Sequence, residues 1–105
     1  MDKDILFEVS TPLSFIIRIK QNYWELIIKI KYPVMAGREN EVKKTLTVPD
    51  EIRLSRSDSS VYLFYRVDKP GHWICAVAKR SNKEGFLITA YPTDKIKEGE
   101  TIWSK

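Results

Sequence analysis

Residues 61–92 read VYLFYRVDKPGHWICAVAKRSNKEGFLITAYP, and the turns inside this stretch decide the fold. Val61-Tyr62-Leu63-Phe64-Tyr65-Arg66 is rich in aromatic and β-branched residues, as half-buried strands are. Asp68-Lys69-Pro70-Gly71 then breaks it, because Pro presets φ and Gly accepts positive φ. A second run, Trp73-Ile74-Cys75-Ala76-Val77-Ala78-Lys79, leads through the loop Ser81-Asn82-Lys83-Glu84-Gly85 to a third, Phe86-Leu87-Ile88-Thr89-Ala90-Tyr91. Pro92 cannot donate to a ladder and is expected to end that strand. Connections this short imply antiparallel neighbours, hence a three-stranded meander.

Outward from the meander, Ile5-Leu6-Phe7-Glu8-Val9 reads as a short strand or arm that Thr11-Pro12 stops. Residues 15–20 and 23–31 read as a hairpin around Gln21-Asn22, since Asn tolerates the positive φ of a two-residue turn. Alternation puts Phe15, Ile17 and Ile19 on one face and Arg18 and Lys20 on the other. In the partner strand Leu26, Ile28 and Ile30 oppose Ile27, Lys29 and Lys31. Residues 33–46 read as a helix with Pro33 in its first turn and Met35, Val42 and Leu46 as its buried stripe. Gly37 moves the regular part toward Arg38, and Glu39 with Lys43 forms an i,i+4 pair. Pro49-Asp50-Glu51-Ile52-Arg53 reads as one helical turn anchored by Ile52. Residues 54–60 form a serine-rich binding loop carrying Arg56. Residues 93–105 are a charged tail whose Trp103 packs back on the body. The expected fold class is α+β: an antiparallel β-sheet, made of an N-terminal hairpin plus the C-terminal meander, packed against one or two helices.

The chain has 105 residues, 43% of them hydrophobic and 30% charged, which is the composition of one ordinary globular domain. Its segments are 1–31 (strands and hairpin), 33–56 (helix and post-helix loop), 61–92 (meander) and 93–105 (tail). Eighteen Lys and Arg against fourteen Asp and Glu leave a net charge of +4, a mild bias that permits a polyanionic partner without requiring one. The single cysteine, Cys75, supports no disulfide framework and reads as a small core residue. Met1-Asp2-Lys3-Asp4 has neither the basic nor the apolar region of a secretory signal. The apolar runs are far too short for a membrane span. A cytoplasmic location without membrane contact is expected.

The single histidine, His72, lies in the Pro-Gly turn and reads as exposed. No metal-ligand or nucleotide-loop motif accompanies it, so neither metal nor cofactor is expected. What remains is chemistry by cations, hydroxyls and phenols, of the kind that suffices for attack of an RNA 2′-hydroxyl on its own phosphate. Arg53, Arg56 and Arg66 offer guanidinium forks for phosphate oxygens, and Thr89 and Tyr91 share one face of the last strand. Lys29, Lys31, Arg66 and Lys79 are candidate RNA contacts. For every one of these residues, a surface charge or a core position is the competing structural role.

Tyr32-Pro33-Val34-Met35-Ala36-Gly37-Arg38-Glu39, Val42, Leu46, Pro49-Asp50-Glu51-Ile52-Arg53 and Ser55-Arg56-Ser57-Asp58 resemble small bacterial and phage proteins. So do Tyr62-Leu63-Phe64-Tyr65, Gly85-Phe86-Leu87-Ile88-Thr89-Ala90-Tyr91-Pro92-Thr93, and Ile96-Lys97-Glu98-Gly99-Glu100 with Trp103. These are similar to the superfamily that joins barnase, EndoU, colicin-type tRNA nucleases and RelE toxins. The resemblance implies a helix on a four-stranded antiparallel sheet and metal-free RNA cleavage on the open face. By matched position it implies catalytic roles for Arg53, Arg56, Thr89 and Tyr91. Related chains often carry histidine where this one has Tyr32, and a phenol of pKa near ~10 is a much poorer base at neutral pH. The expected function is a metal-independent endoribonuclease, toxin-like, acting on tRNA or mRNA beside a cognate antitoxin protein. The alternatives are a non-catalytic RNA-binding module and a protein-interaction module.

Overall fold

A computed structural model of the chain describes residues 4–96 and 99–105. Met1 to Lys3, on which the leader reading rests, and Lys97 and Glu98 of the quoted C-terminal pattern lie outside the described residues. The chain opens with β1 (Ile5–Ser10) and β2 (Ile16–Lys20), then α1 (Gln21–Leu26), which widens into a π-type turn over Ile27–Lys31. A 3-10 turn (Pro33–Met35) and α2 (Glu39–Thr47) follow. The remainder is strand: β3 (Glu51–Leu54), β4 (Val61–Lys69), β5 (His72–Ser81), β6 (Glu84–Thr93) and β7 (Glu100–Ser104). All seven strands form one sheet in the order β1-β2-β6-β5-β4-β3-β7.

The meander forms with β4, β5 and β6 antiparallel in succession, but Pro92 does not end the last strand: it lies opposite Ile74, and β6 runs on to Thr93. The sheet as a whole is not antiparallel. It is mixed, because β2 lies parallel to β6, with Ile16 opposite Glu84 and Arg18 opposite Phe86. The expected hairpin partner of β2 is therefore corrected: β1 pairs with it, and residues 21–31 turn into helix. Burial gives the physical reason. Trp24 and Ile27, three residues apart, are fully buried, whereas Leu26 and Ile30 of the expected greasy strand face are exposed. One helix face buries the first pair together, and a strand does not. The helix ends in a wide turn in which the Tyr32 amide donates to the Ile27 carbonyl at 2.7 Å.

Two further segments differ from expectation. Glu51 to Leu54 is a strand and no helical turn, since Ile52 points into the core while Glu51 and Arg53 point away from it. The charged tail supplies β7, which pairs with β3, and its Trp103 does pack against the core. The first face of the sheet carries the main core, where Phe7, Phe15, Ile17 and Phe64 meet Trp24, Ile27, Met35, Val42 and Leu46 from the helical segments. On the second face Tyr65, Cys75, Val77 and Tyr91 form a smaller cluster. No helix among the described residues is long and apolar enough to cross a membrane.

Arg38, just before α2, ties the helix to β4. Its Nε and Nη2 donate to Glu41 at 2.6 and 2.7 Å, and Nη2 also reaches Asp68 at 3.0 Å. These bonds from Arg38 hold the Glu41 carboxyl below its ordinary range. A carboxyl whose folded-state pKa is depressed stabilises the fold above its ordinary value, and that contribution is lost as pH falls toward the folded value. The Glu41 side chain is 41% exposed, so screening keeps the contribution to no more than about 1 kcal/mol. Thermal melts at neutral and acid pH are expected to show a smaller acid loss in Glu41→Gln than in the parent. An equal loss would show that the ion pair does not contribute.

Candidate nucleic-acid interface on the open sheet face

Strand register places three of the expected catalytic residues, Arg53, Thr89 and Tyr91, in rows on the second face. Arg53 lies opposite Leu63, Leu63 opposite Val77, and Val77 opposite Thr89. The neighbouring row runs Glu51, Tyr65, Cys75, Tyr91. Arg53 thus shares a face with Thr89 and Tyr91, but β4 and β5 intervene. Three interstrand steps are roughly 14 Å, too far for the groups to grip one phosphate.

The local chemistry of each group is also engaged. Arg53 Nε donates to Glu51 at 2.6 Å and Nη1 approaches the Gly99 carbonyl at 3.4 Å, while Thr101 donates to the same Glu51 oxygen at 2.7 Å. Tyr91 is only 7% exposed and stacks on Tyr32 with ring centroids 5.1 Å apart. Burial, with the neighbouring Cys75 thiol, pushes the Tyr91 phenol well above its ordinary pKa. It stays protonated at neutral pH. Among the described residues Thr89 Oγ1 is buried with no hydrogen-bond partner, and Arg56 is exposed in the loop after β3.

The four expected RNA contacts do not share a surface. Lys29 is paired with Glu25 at 3.7 Å on the helical segment, and Lys31 Nζ sits 5.7 Å from the centre of the Tyr23 ring. Arg66 belongs to a cleft with Pro12, Val48 and Trp103. Lys79 is exposed on the second face of the sheet, 3.7 Å from Asp58.

Around Lys79 the register assembles a feature that residue-by-residue reading misses. Lys79 lies opposite Phe86, and Phe86 opposite Arg18. Phe86 is 53% exposed, so an aromatic ring stands on the open face between two cations. The rest of β6 explains its direction. Leu87 and Ala90 point into the main core, and Ile88 is the extra residue of a bulge that leaves it without a partner in β5. The Ile88 carbonyl instead accepts the Tyr23 hydroxyl at 2.7 Å.

Beyond Phe86, β2 and β6 part, and an open groove of about 580 Å³ lies there. Ile5, Ile19, Tyr23 and Leu87 give it an apolar floor, with Phe86 at its lip and Lys20, Asn22 and Ser81 among its polar groups. Arg18 is neutralised by Glu8 at 2.8 Å and by Glu84. Lys79, on the other side of the ring, lies 3.7 Å from Asp58, so both cations that flank Phe86 have carboxylates beside them. Among the described residues, no three His, Cys, Asp or Glu side chains gather as a metal site. His72 is exposed and lies 3.2 Å from the Pro70 carbonyl. No protein-family model, curated protein or solved structure matches the chain, so a functional assignment has to stand on this geometry.

Proposed function

We propose that this chain is a single-stranded RNA-binding domain that stacks a base on Phe86. The reading is supported above all by that ring, exposed on an open sheet face between Arg18 and Lys79. Single strands are bound by aromatic platforms for bases and cations for the backbone, whereas a duplex keeps its bases stacked inside. The groove beyond Phe86 offers apolar floor for a second base, and Asn22 and Ser81 offer hydrogen bonds to sugar hydroxyls. With Arg18 and Lys79 both beside carboxylates, no more than about two phosphates would be contacted. The slope of log K against log salt is then about −1.4 for a single strand. Binding of a short unstructured RNA across a salt series, with chelator present, checks this. A slope several times steeper would mean cationic tracking of the backbone in place of stacking, and absence of binding at low salt would end the proposal.

The second reading is a metal-independent endoribonuclease, the toxin of a pair with a cognate antitoxin in the cytoplasm. It is supported by the common face of Arg53, Thr89 and Tyr91 and opposed by the burial of Tyr91. Total RNA incubated in EDTA separates the two. Fragments ending in a 2′,3′-cyclic phosphate, lost in Arg53→Ala, carry the nuclease reading. Intact RNA that remains bound carries the first.

A further inference from the structure

The tip of the β5–β6 hairpin has a second cleft on its other face, apart from the Phe86 groove. Ser59, Ser60, Tyr62, Arg80, Asn82 and Lys83 line it. Its centre is Arg80, whose guanidinium carbon lies 4.5 Å from the centre of the Phe15 ring and 5.9 Å from that of Tyr62. Those rings are themselves 5.3 Å apart, and Phe15 is fully buried. The guanidinium plane therefore rests on a rigid aromatic shelf. Its Nε is fixed by the Asn82 carbonyl, and its backbone amide donates to the Ser60 carbonyl at 2.8 Å. Asn82 holds a left-handed conformation, φ 61°, which keeps the turn tight above the shelf.

Held this way, Arg80 has no freedom to fold back on the protein. Among the described residues its terminal nitrogens donate to nothing, so a fork of N–H groups faces the cleft. Lys83, Asn82 and Ser59 line the same cleft and carry further donor groups. No carboxylate is among the described lining residues, and Asp58, next to Ser59, is engaged elsewhere. Its Oδ1 accepts both the amide and the hydroxyl of Ser60, at 2.9 and 2.6 Å, and Oδ2 faces Lys79. A planar carboxylate is satisfied by the fork alone. A tetrahedral oxyanion has oxygens to spare for the other donor-bearing residues of the lining.

We propose that the Arg80 cleft is a binding site for a phosphate group, carried either by a small phosphorylated compound or by the end of an RNA strand. It is independent of the Phe86 platform, which lies on the opposite face. The test uses the full chain, isotope-labelled, titrated with inorganic phosphate and, at matched ionic strength, with acetate. Phosphate is expected to move the amide signals of Ser59, Ser60, Asn82 and Lys83 saturably, and acetate to leave them in place. Arg80→Lys keeps the charge but loses the fork and most of the stacking, and is expected to weaken phosphate binding about tenfold. Lys83→Ala, at an exposed position, should weaken it about threefold while leaving the melting temperature unchanged. A 5′-phosphorylated oligonucleotide binding more tightly than inorganic phosphate assigns the site to strand ends, and the reverse assigns it to small compounds. Both results support the site. Equal responses to phosphate and acetate, or phosphate binding unchanged in Arg80→Lys, would overturn it. Phe86→Ala should leave the phosphate response intact, so loss of RNA stacking and loss of the phosphate site are told apart.

Discussion

Trp24→Ala is expected to destabilise the fold by about 3–5 kcal/mol, the usual cost of emptying a large buried aromatic site. Small domains have about 5–15 kcal/mol in total, so this one change removes a large share of the margin. The position explains the size of the effect. Trp24 and Ile27 are the fully buried residues of the helical segment that leaves β2. That segment covers the place where β2 and β6 part, and Tyr23 beside it holds the Ile88 carbonyl. Loss of Trp24 leaves a void at the only parallel pairing among the described strands, where the ladder is three residue pairs long. Among the described residues the Trp24 indole N–H has no partner, so Trp24→Phe removes an unsatisfied donor along with some volume and is expected to cost less than half as much. Chemical denaturation of the two variants checks the account. Equal losses would mean that volume alone matters there, and a loss below about 1 kcal/mol in Trp24→Ala would mean that the segment is not part of the core.

Phe86→Ala is expected to weaken single-stranded RNA binding by about 1–3 kcal/mol, or roughly five- to more than a hundredfold, the range for losing one base–aromatic stack. Little stability should be lost with it, because the ring is 53% exposed. Phe86→Tyr keeps a π-face and is expected to retain most of the affinity, whereas Phe86→Leu keeps the apolar character without the platform and should behave as Ala does. That ordering, Tyr above Leu, distinguishes stacking from simple hydrophobic contact. Lys79→Ala should cost less than Phe86→Ala and flatten the salt dependence by about one phosphate's worth.

Part of this architecture was legible in the chain. The meander followed from two turns, and α2 from the spacing of Val42 and Leu46, both fully buried; the helix expected from Pro33 begins only at Glu39, and Met35 is buried from a separate 3-10 turn. Residues 23–31 misled because their aliphatic residues satisfy both periods. Leu26, Ile28 and Ile30 alternate like a strand, while Trp24 and Ile27 fit a helix, and a short apolar run does not decide between them. The parallel pairing of β2 with β6 joins residues more than sixty positions apart, and no local pattern encodes it. The strand at Glu51 was equally hidden, since it is only four residues long and, although β4 follows directly, its other partner β7 comes from the far end of the sequence.

The candidate interface was half legible. Lys79 was identifiable as an exposed cation, but Phe86 reads as one more apolar strand residue. Counting back from the tight turn at Asn82-Lys83 sets Ser81 opposite Glu84 and so Lys79 opposite Phe86, which was the signal available. The aromatic shelf under Arg80 was not available, because Phe15 and Tyr62 reach it from other strands. The expected convergence of Arg53 with Thr89 and Tyr91 had the face right and the distance wrong: parity along a strand fixes the side of a sheet, but the number of intervening strands depends on topology.

The most direct test of an RNA-binding face around Phe86 is amide chemical-shift mapping of the labelled chain as a short unstructured RNA is added at low salt. The largest changes are expected at Arg18, Lys79 and Phe86, with smaller ones at Lys20 and Tyr23 around the groove. An unchanged spectrum, or changes confined to α2 and the β3–β7 edge, would contradict the account.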